Sequence, residues 1–388
     1  MTNAILPKKK ITSATFNKFI APLLKILAKA PKLLSRGDRP LQMNFDEQLK
    51  ALIHFHLQEH KSGRHLVEDI NTNDFAKQNI APADGISRSS FSEAINNRGL
   101  EQLQYVLENL YKQAEKTLPK EYKHLGDLVA IDGTLIDAVL SMYWADYRKG
   151  SKKAKGHFGF NINSSIPSKV FLTDGNGGER PFVDQILSKG QTGVMDRGYQ
   201  SHKDFDYLQA EGKSFVCRIK VKTTKTIIEE HAVNPDSYVF YDSLVHLGTP
   251  GINRTKKPVR VVGYNIEGVK YFVATDRHDL LAEQVADIYK LRWTIESFFK
   301  WWKEHLKVYH LIARSEYGLM VQIMGGLITY LLMVIHCHEN YNEKVSIKRI
   351  RELRTTILNE LFNGQGHTPT VEEEFSKNKK AKLFEART

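Results

Sequence analysis

Two apolar runs constrain this chain more than any other feature. Leu128-Val129-Ala130-Ile131-Asp132-Gly133-Thr134 and Thr192-Gly193-Val194-Met195-Asp196-Arg197-Gly198-Tyr199 are apolar runs that reach an aspartate followed by Gly or Arg-Gly, with the two acids 64 positions apart. A short apolar run bounded by turn residues predicts a strand buried on both faces, as in a sheet covered by helices. Both acids are therefore expected at the ends of buried strands in an α/β layer structure.

The flanking segments supply the covering helices. Residues 45–117 read as helical, with a periodic run from Phe45 to about Gln58 and another after Gly63. Ser90-Phe91-Ser92-Glu93 has the form of a capping box and follows the turn cluster Pro82-Ala83-Asp84-Gly85. Two short helices joined there, with Ser87, Arg88, Ser89 and Ser90 at the second start, would suit phosphate contacts, although any helical bundle contains such turns. His157 to Ile162 alternates as a strand, Ser168 to Leu172 suggests another, Lys203 to Ala210 a helix and Ser214 to Lys220 a further strand. Residues 221–277 read as all-β, with turns at Pro250-Gly251 and Glu267-Gly268. Helix returns at Leu280 and continues with breaks through Val334; the tail from Gly364 is polar and aperiodic.

Charge names a class of partner. The 388 residues, enough for two or three domains, carry 56 Lys and Arg against 44 Asp and Glu, a net of +12. That excess favours nucleic acid or an acidic membrane surface, and equally describes a soluble basic protein kept apart by self-repulsion. It is unevenly spread: residues 1–40 hold seven lysines and two arginines against one aspartate, a net of +8. Within that arm Phe16, Phe19, Ile20, Leu23, Leu24, Ile26 and Leu27 recur at helical spacing between Lys18, Lys25, Lys29 and Lys32, and Pro22 predicts a kink or a helix start. Such a helix can lie beside phosphates or on a membrane, or simply dock its apolar stripe on the rest of the fold.

Other classes are excluded. Two cysteines, Cys217 and Cys337, cannot build a disulfide framework or a four-thiolate zinc site, and a reducing, intracellular home is the simplest reading. Met1 to Lys10 has no secretory pattern. Leu319 to Cys337 could mimic a membrane span, but Gln322, Gly325, Gly326 and Thr329 interrupt it, and a buried core helix is expected.

Asp287 to Lys307, read as one α-helix, places Ile288, Leu291, Ile295, Phe298, Phe299, Trp302 and Leu306 on one face. Tyr289, Arg292, Glu296 and Lys303 fall in a separate sector, with Lys300 beside it. A solvated face with an Arg292–Glu296 pair gives the same pattern. The strand-end acids favour another use. Two carboxylates on strands plus one from a helix make a hard oxygen site for divalent cations, and Arg and Lys beside them suit a phosphate. Together these features point to phosphoryl transfer on a nucleic acid.

The spacing Tyr289-x2-Arg292-x3-Glu296-x6-Lys303 resembles the Tyr-Arg-Glu-Lys signature of DDE transposases of the bacterial insertion-sequence-four family. Ile131-Asp132-Gly133-Thr134 and Val194-Met195-Asp196-Arg197-Gly198-Tyr199 resemble its first two catalytic blocks; Trp144-Ala145-Asp146-Tyr147-Arg148-Lys149-Gly150 and Lys155-Gly156-His157 are similar too. The resemblance covers about residues 125–335. Gly175-Asn176-Gly177-Gly178-Glu179-Arg180-Pro181-Phe182 departs from it, lacking an expected His-Asp pairing.

The resemblance implies an α/β, RNase H-like catalytic domain, a mixed sheet flanked by helices and interrupted by an all-β insertion, with an N-terminal helical domain. The expected boundaries are 1–120 helical and DNA-binding, 121–220 with 278–340 catalytic, 221–277 the insertion, and 341–388 C-terminal and a dimerisation candidate. Asp132, Asp196 and Glu296 would hold two Mg²⁺ ions, with Mn²⁺ able to substitute. Tyr289, Arg292 and Lys303 would hold DNA phosphates, and Lys300, Trp293, His157 and Arg197 are further contact candidates. His157 reads equally as a strand histidine with its hydrogen bonds made, and Trp302 as core. The substrate would be double-stranded DNA, terminal inverted repeats and target, handled by a homodimer in the bacterial cytoplasm near the nucleoid, with no membrane partner. A domesticated nuclease that cuts without joining and a non-catalytic DNA-binding regulator are the alternatives; the presence of all three acids speaks against the second.

Overall fold

The computed structural model describes residues 13–34, 40–58, 60–80, 82, 84–306 and 310–363. The arm before Ser13 and the tail from Gly364 lie outside them. The chain forms two compact units: residues 1–110, 305–313 and 317–388, and residues 111–304 with 314–316.

The first unit is helical. It contains α1 (Ala14–Leu27), α2 (Phe45–Leu57), α3 (Gly63–Thr72), α4 (Asp74–Asn79), α5 (Arg88–Asn97) and the first part of α6 (Leu100–Thr117). α1 buries Phe16, Phe19, Ile20, Leu23 and Ile26, so the apolar stripe docks and Lys18, Lys25, Lys29 and Lys32 stay outside. Ser13 caps the helix, and Pro22 sits inside it without ending it. α5 starts one turn earlier than the capping-box reading: Ser87 accepts the Ser90 N–H, so Ser90 lies inside the helix.

The second unit is built on one sheet. Its elements are β1 (Asp127–Asp137), β2 (Lys153–Asn161), β3 (Ile166–Asp174), α7 (Val183–Ile186), β4 (Gln191–Met195), α8 (His202–Ala210) and β5 (Ser214–Arg218). They continue with β6 (Lys225–Glu230), β7 (Val239–Leu247), β8 (Val259–Ile266), β9 (Val269–Thr275), α9 (Ala282–Leu291) and α10 (Trp293–His305). The strand order is β3-β2-β1-β4-β5-β9-β8-β7-β6. β1, β4 and β5 run parallel, and every other neighbouring pair is antiparallel. This is the mixed sheet expected. Residues 221–277 do not stand apart as a separate layer: β9 pairs with β5, Cys217 opposite Ala274, and the four strands extend the same sheet. The Glu267-Gly268 turn joins β8 to β9 with φ of 49° and 82°, the left-handed pair a two-residue hairpin requires.

Each sheet face is buried against helices. Val129, Ile131 and Met195 join Ile186, Leu208 and the stacked Phe205–Phe215 pair, centroids 4.3 Å apart, under α7 and α8. On the opposite face Phe158 meets Trp302 at 5.3 Å and Phe160 meets Phe298 at 5.1 Å, which fixes α10 over β2.

α11 (Glu316–Tyr341) and α12 (Ile347–Asn363) belong, from Tyr317 onward, to the helical unit, whereas the sequence reading put residues up to 340 with the sheet. α11 is long and apolar enough to cross a membrane, but 94% of its most apolar window is buried inside the protein, the core-helix outcome. Gly325 explains one close approach: a Cβ there would sit 2.9 Å from Leu52 Cβ of α2.

Candidate active site

Register builds the acidic end of the site. β1 and β4 run parallel with Ile131 opposite Met195 as their last pair, so Asp132 and Asp196 follow side by side. Ligands of open α/β sheets gather at the carboxyl ends of parallel strands, and both acids stand there. Asp132 is nevertheless not at the end of its own strand, as the sequence suggested: β1 continues to Asp137, held by β2 alone on that side. Gly133 makes no turn. Its missing side chain leaves room for Glu179, whose Oε1 would lie 2.8 Å from a Cβ at that position. Asp196 does end its strand, and it caps the 3₁₀ turn Arg197–Tyr199 by accepting the Gly198 N–H at 2.8 Å.

The third acid arrives on a broken helix. The single helix expected over 287–307 divides into α9 and α10 at Arg292. Short bonds from Arg292 N to Tyr289 O (3.1 Å) and from Ile295 N to Arg292 O (3.2 Å) tighten the chain around the break. The Arg292 guanidinium then donates to Asp132 Oδ2 at 3.3 Å and to Glu296 Oε1 at 2.5 Å, bridging two of the three acids. The Arg292–Glu296 pair of the solvated-face reading is real, but it is half-buried and tied to the strand. Burial, opposed by the Gly133 N–H and Arg292 and reinforced by the charges of Asp196 and Glu179, pushes Asp132 up to about 6. Burial and the same three carboxylates, Glu179, Asp132 and Asp196, hold the Tyr199 phenol well above its ordinary range.

Glu179 is the member that sequence reasoning missed. It pairs with Lys155 at 3.2 Å and faces the strand acids. A glycine directly after the first acid, together with an acid where a His-Asp pairing was expected, was the available signal.

The other expected residues divide. Tyr289 is buried with the Arg292 guanidinium 5.8 Å from its ring, and burial raises its phenol. Lys303 donates to Leu135 O at 2.7 Å, three residues further along β1, and so anchors α10 to the strand outside the Arg292 bridge. Burial lowers its amine's pKa. His157 is buried, bonds Thr173 Oγ1 at 2.9 Å and stacks on Phe182; burial lowers it to about 4, so it is neutral. Trp302 is fully buried, while Trp293, Lys300 and Arg197 are exposed.

The donor set fits a hard divalent cation. Asp132, Asp196, Glu179 and Glu296 offer carboxylate oxygens, and the charges of Asp196 and Glu179 add to the burial that raises Asp132. Among the described residues, three potential metal-ligand atoms already lie within 4.8 Å of one another only at His54, His60 and Asp69 of the helical unit. There Asp69 bonds His54 at 2.6 Å and His60 at 3.1 Å. The acids around Asp132 are held more widely, with a guanidinium between two of them.

The family described as "Transposase DDE domain" matches residues 123–332. The chain is 25% identical over 297 residues to the probable transposase for insertion sequence element IS5377 of Geobacillus stearothermophilus, covering 74% of this chain and 75% of that protein. It is 27% identical over 258 residues to the putative transposase for insertion sequence element IS4SA of Synechocystis sp., covering 63% and 70%. Among solved structures it is similar to a piggyBac transposase synaptic complex with hairpin DNA, at TM-score 0.45 and 10% identity over 96% of this chain and 86% of that one. The matched family spans more than half of the sequence and all of the acids brought together at the end of β4, and the chain belongs to the DDE transposase family.

Proposed function

We propose that this DNA transposase, of the insertion-sequence-four type, cleaves and joins the terminal inverted repeats of its element with two Mg²⁺ ions held by Asp132, Asp196 and Glu296. Members of the family use divalent metal ions. Bound there, such ions would activate a water and stabilise the leaving 3′ oxygen. The observation that carries the reading is the side-by-side placement of Asp132 and Asp196, with Glu296 joined to Asp132 through Arg292.

The chain's own groups have definite tasks. Asp132, raised to about 6, is a carboxylate on which a cation competes with a proton near neutrality. Arg292 presents a planar fork between two acids, suited to hold a phosphate oxygen beside them. Tyr289 supports the guanidinium from below, and Lys303 fixes α10 against β1. The freed 3′-hydroxyl would attack a second phosphodiester, across the flank or in target DNA, expelling that bond's other oxygen. Two element ends imply a homodimer, acting in the bacterial cytoplasm.

The test uses a donor DNA with the element's inverted repeats. Mg²⁺-dependent cleavage and joining are expected from the full chain. Asp196→Ala should bind the repeats and cut nothing. Cleavage that survives Asp196→Ala would remove the acid site from the reaction, and cutting without joining would leave a nuclease.

A further inference from the structure

A basic cleft of about 890 Å³ opens beside the acids, and nothing in the reaction described so far uses it. It begins at Arg197, the residue after Asp196, and is walled by α8 and by the loop between β7 and β8. Lys203, Lys220, Arg254, Lys256 and Lys257 line it with Arg197, and all six are exposed. Among the described residues none of the six is in an ion pair, although lysines elsewhere in the same unit, such as Lys155 and Lys213, are paired. The one acid in the lining, Asp206, is already engaged: its carboxylate accepts the backbone N–H groups of Lys256 (2.9 Å) and Lys257 (3.0 Å).

That engagement makes the loop a built feature. Asp206 fixes its far side, and His202 Nδ1 lies 2.7 Å from Asn253 O. Asn253 Oδ1 accepts the Thr249 N–H at 2.9 Å, and Thr255 N–H donates to Leu247 O at 2.8 Å. Gly248 has φ of +91°, and a Cβ there would sit 2.4 Å from Asn253 O, so only glycine lets the chain turn in on itself. The fold therefore holds Arg254, Lys256 and Lys257 on a pinned loop, facing Lys203 across a cleft whose only carboxylate is spent. Unpaired like charges held close together destabilise a fold unless a polyanion neutralises them.

We propose that this cleft is a second DNA seat: it holds the phosphate backbone of a strand running away from the reacting phosphate, by charge and without reading bases. This rests on the transposase reading above. The shared chemistry is a phosphodiester backbone; its source is either the element's own end or the target duplex.

The experiment compares the full-length wild type with Arg254→Ala/Lys256→Ala/Lys257→Ala. Fluorescence anisotropy is read on two probes, a duplex carrying the inverted repeat and an unrelated duplex, in EDTA across a salt series. Without metal, binding is independent of the catalytic assignment. Three lost phosphate contacts should lower the slope of log affinity against log salt by about 2.7. Between 50 and 200 mM salt the variant should therefore lose about 40-fold less affinity than wild type. A smaller slope confined to the repeat duplex assigns the cleft to the element end, and one on both duplexes or on the unrelated duplex assigns it to target DNA. Restoring lysine with arginine, as Lys256→Arg/Lys257→Arg, should keep the wild-type slope. An unchanged slope on both probes, or weaker binding without a change of slope, overturns the proposal, whether or not Asp196→Ala has lost cleavage.

Discussion

Ile131 faces Met195 across the parallel ladder of β1 and β4, and that one pairing sets Asp132 beside Asp196. Neighbouring strands lie about 4.8 Å apart, so the two carboxyl groups start from adjacent backbone positions and their reach is set by one methylene each. Lengthening either side chain moves an oxygen by more than 1 Å while keeping charge and chemistry. Misplacement on that scale costs on the order of 10²-fold in rate. Asp132→Glu and Asp196→Glu should each fold and lose single-turnover cleavage by about that factor. Rates within a few-fold of wild type would show that the acids are not held to a fixed spacing.

Arg292 offers a sharper contrast, because two nitrogens of its rigid, planar guanidinium reach two acids at once, Nη1 to Asp132 and Nη2 to Glu296. Arg292→Lys should behave more like Arg292→Ala than like wild type, with joining reduced by roughly 10² in both. Glu296, half-exposed at the start of α10, should keep its place in either variant. If lysine restores joining, a simple positive charge is sufficient there and the bridging geometry is incidental.

Much of this site was legible in the sequence, and the reasons differ by residue. The apolar runs around Asp132 and Asp196 announce buried strands, and the 3.6-residue spacing of Ile295, Phe298, Phe299 and Trp302 announces the buried face of α10. These patterns are local, and burial enforces them. Register is not local: nothing in either run says that Ile131 will sit opposite Met195. The helix break at Arg292 was hidden for a related reason, since Arg292 and its neighbours are ordinary helix formers and only the tie to Asp132 marks it. Glu179 was hard to place because what accommodates it is the absence of a side chain at Gly133, 46 positions away in sequence. The strands of 221–277 were read correctly as β, but their continuity with β5 depends on Cys217 meeting Ala274, again a long-range pairing.

Two tryptophans of α10 separate packing from surface. Trp302 is fully buried against Phe158 and Phe298, whereas Trp293 is 65% exposed. Trp302→Ala should destabilise the sheet unit by about 3–5 kcal/mol, read by denaturant melts, and lower activity through folding. Trp293→Ala should change stability by less than about 0.5 kcal/mol. A loss of DNA affinity in Trp293→Ala, with an unchanged melt, would identify it as a stacking contact.

The raised Asp132 makes stability depend on pH in a direction opposite to that of most carboxylates. Its ordinary value is 3.8 and its folded value about 6, so between these the native state holds a proton that the unfolded chain has released. Stability therefore falls as pH rises through that window, by at most about 3 kcal/mol. His157 works the other way: its folded value near 4 lies below 6.5, and its contribution rises with pH over much the same range. The wild-type curve alone would blur the two. Asp132→Asn keeps the shape, removes the titration and leaves His157 in place. Metal-free melts at about pH 4.5, 5.5, 6.5 and 7.5 should show wild type losing ground to Asp132→Asn up to about pH 6.5 and little further beyond it. Adding Mg²⁺ should reverse that loss above about pH 6, where the carboxylate is ionised, and should do little below it or in Asp132→Asn. Parallel curves for the two proteins, with or without the ion, would mean that burial does not hold a proton on Asp132 and that Asp132 is not a ligand.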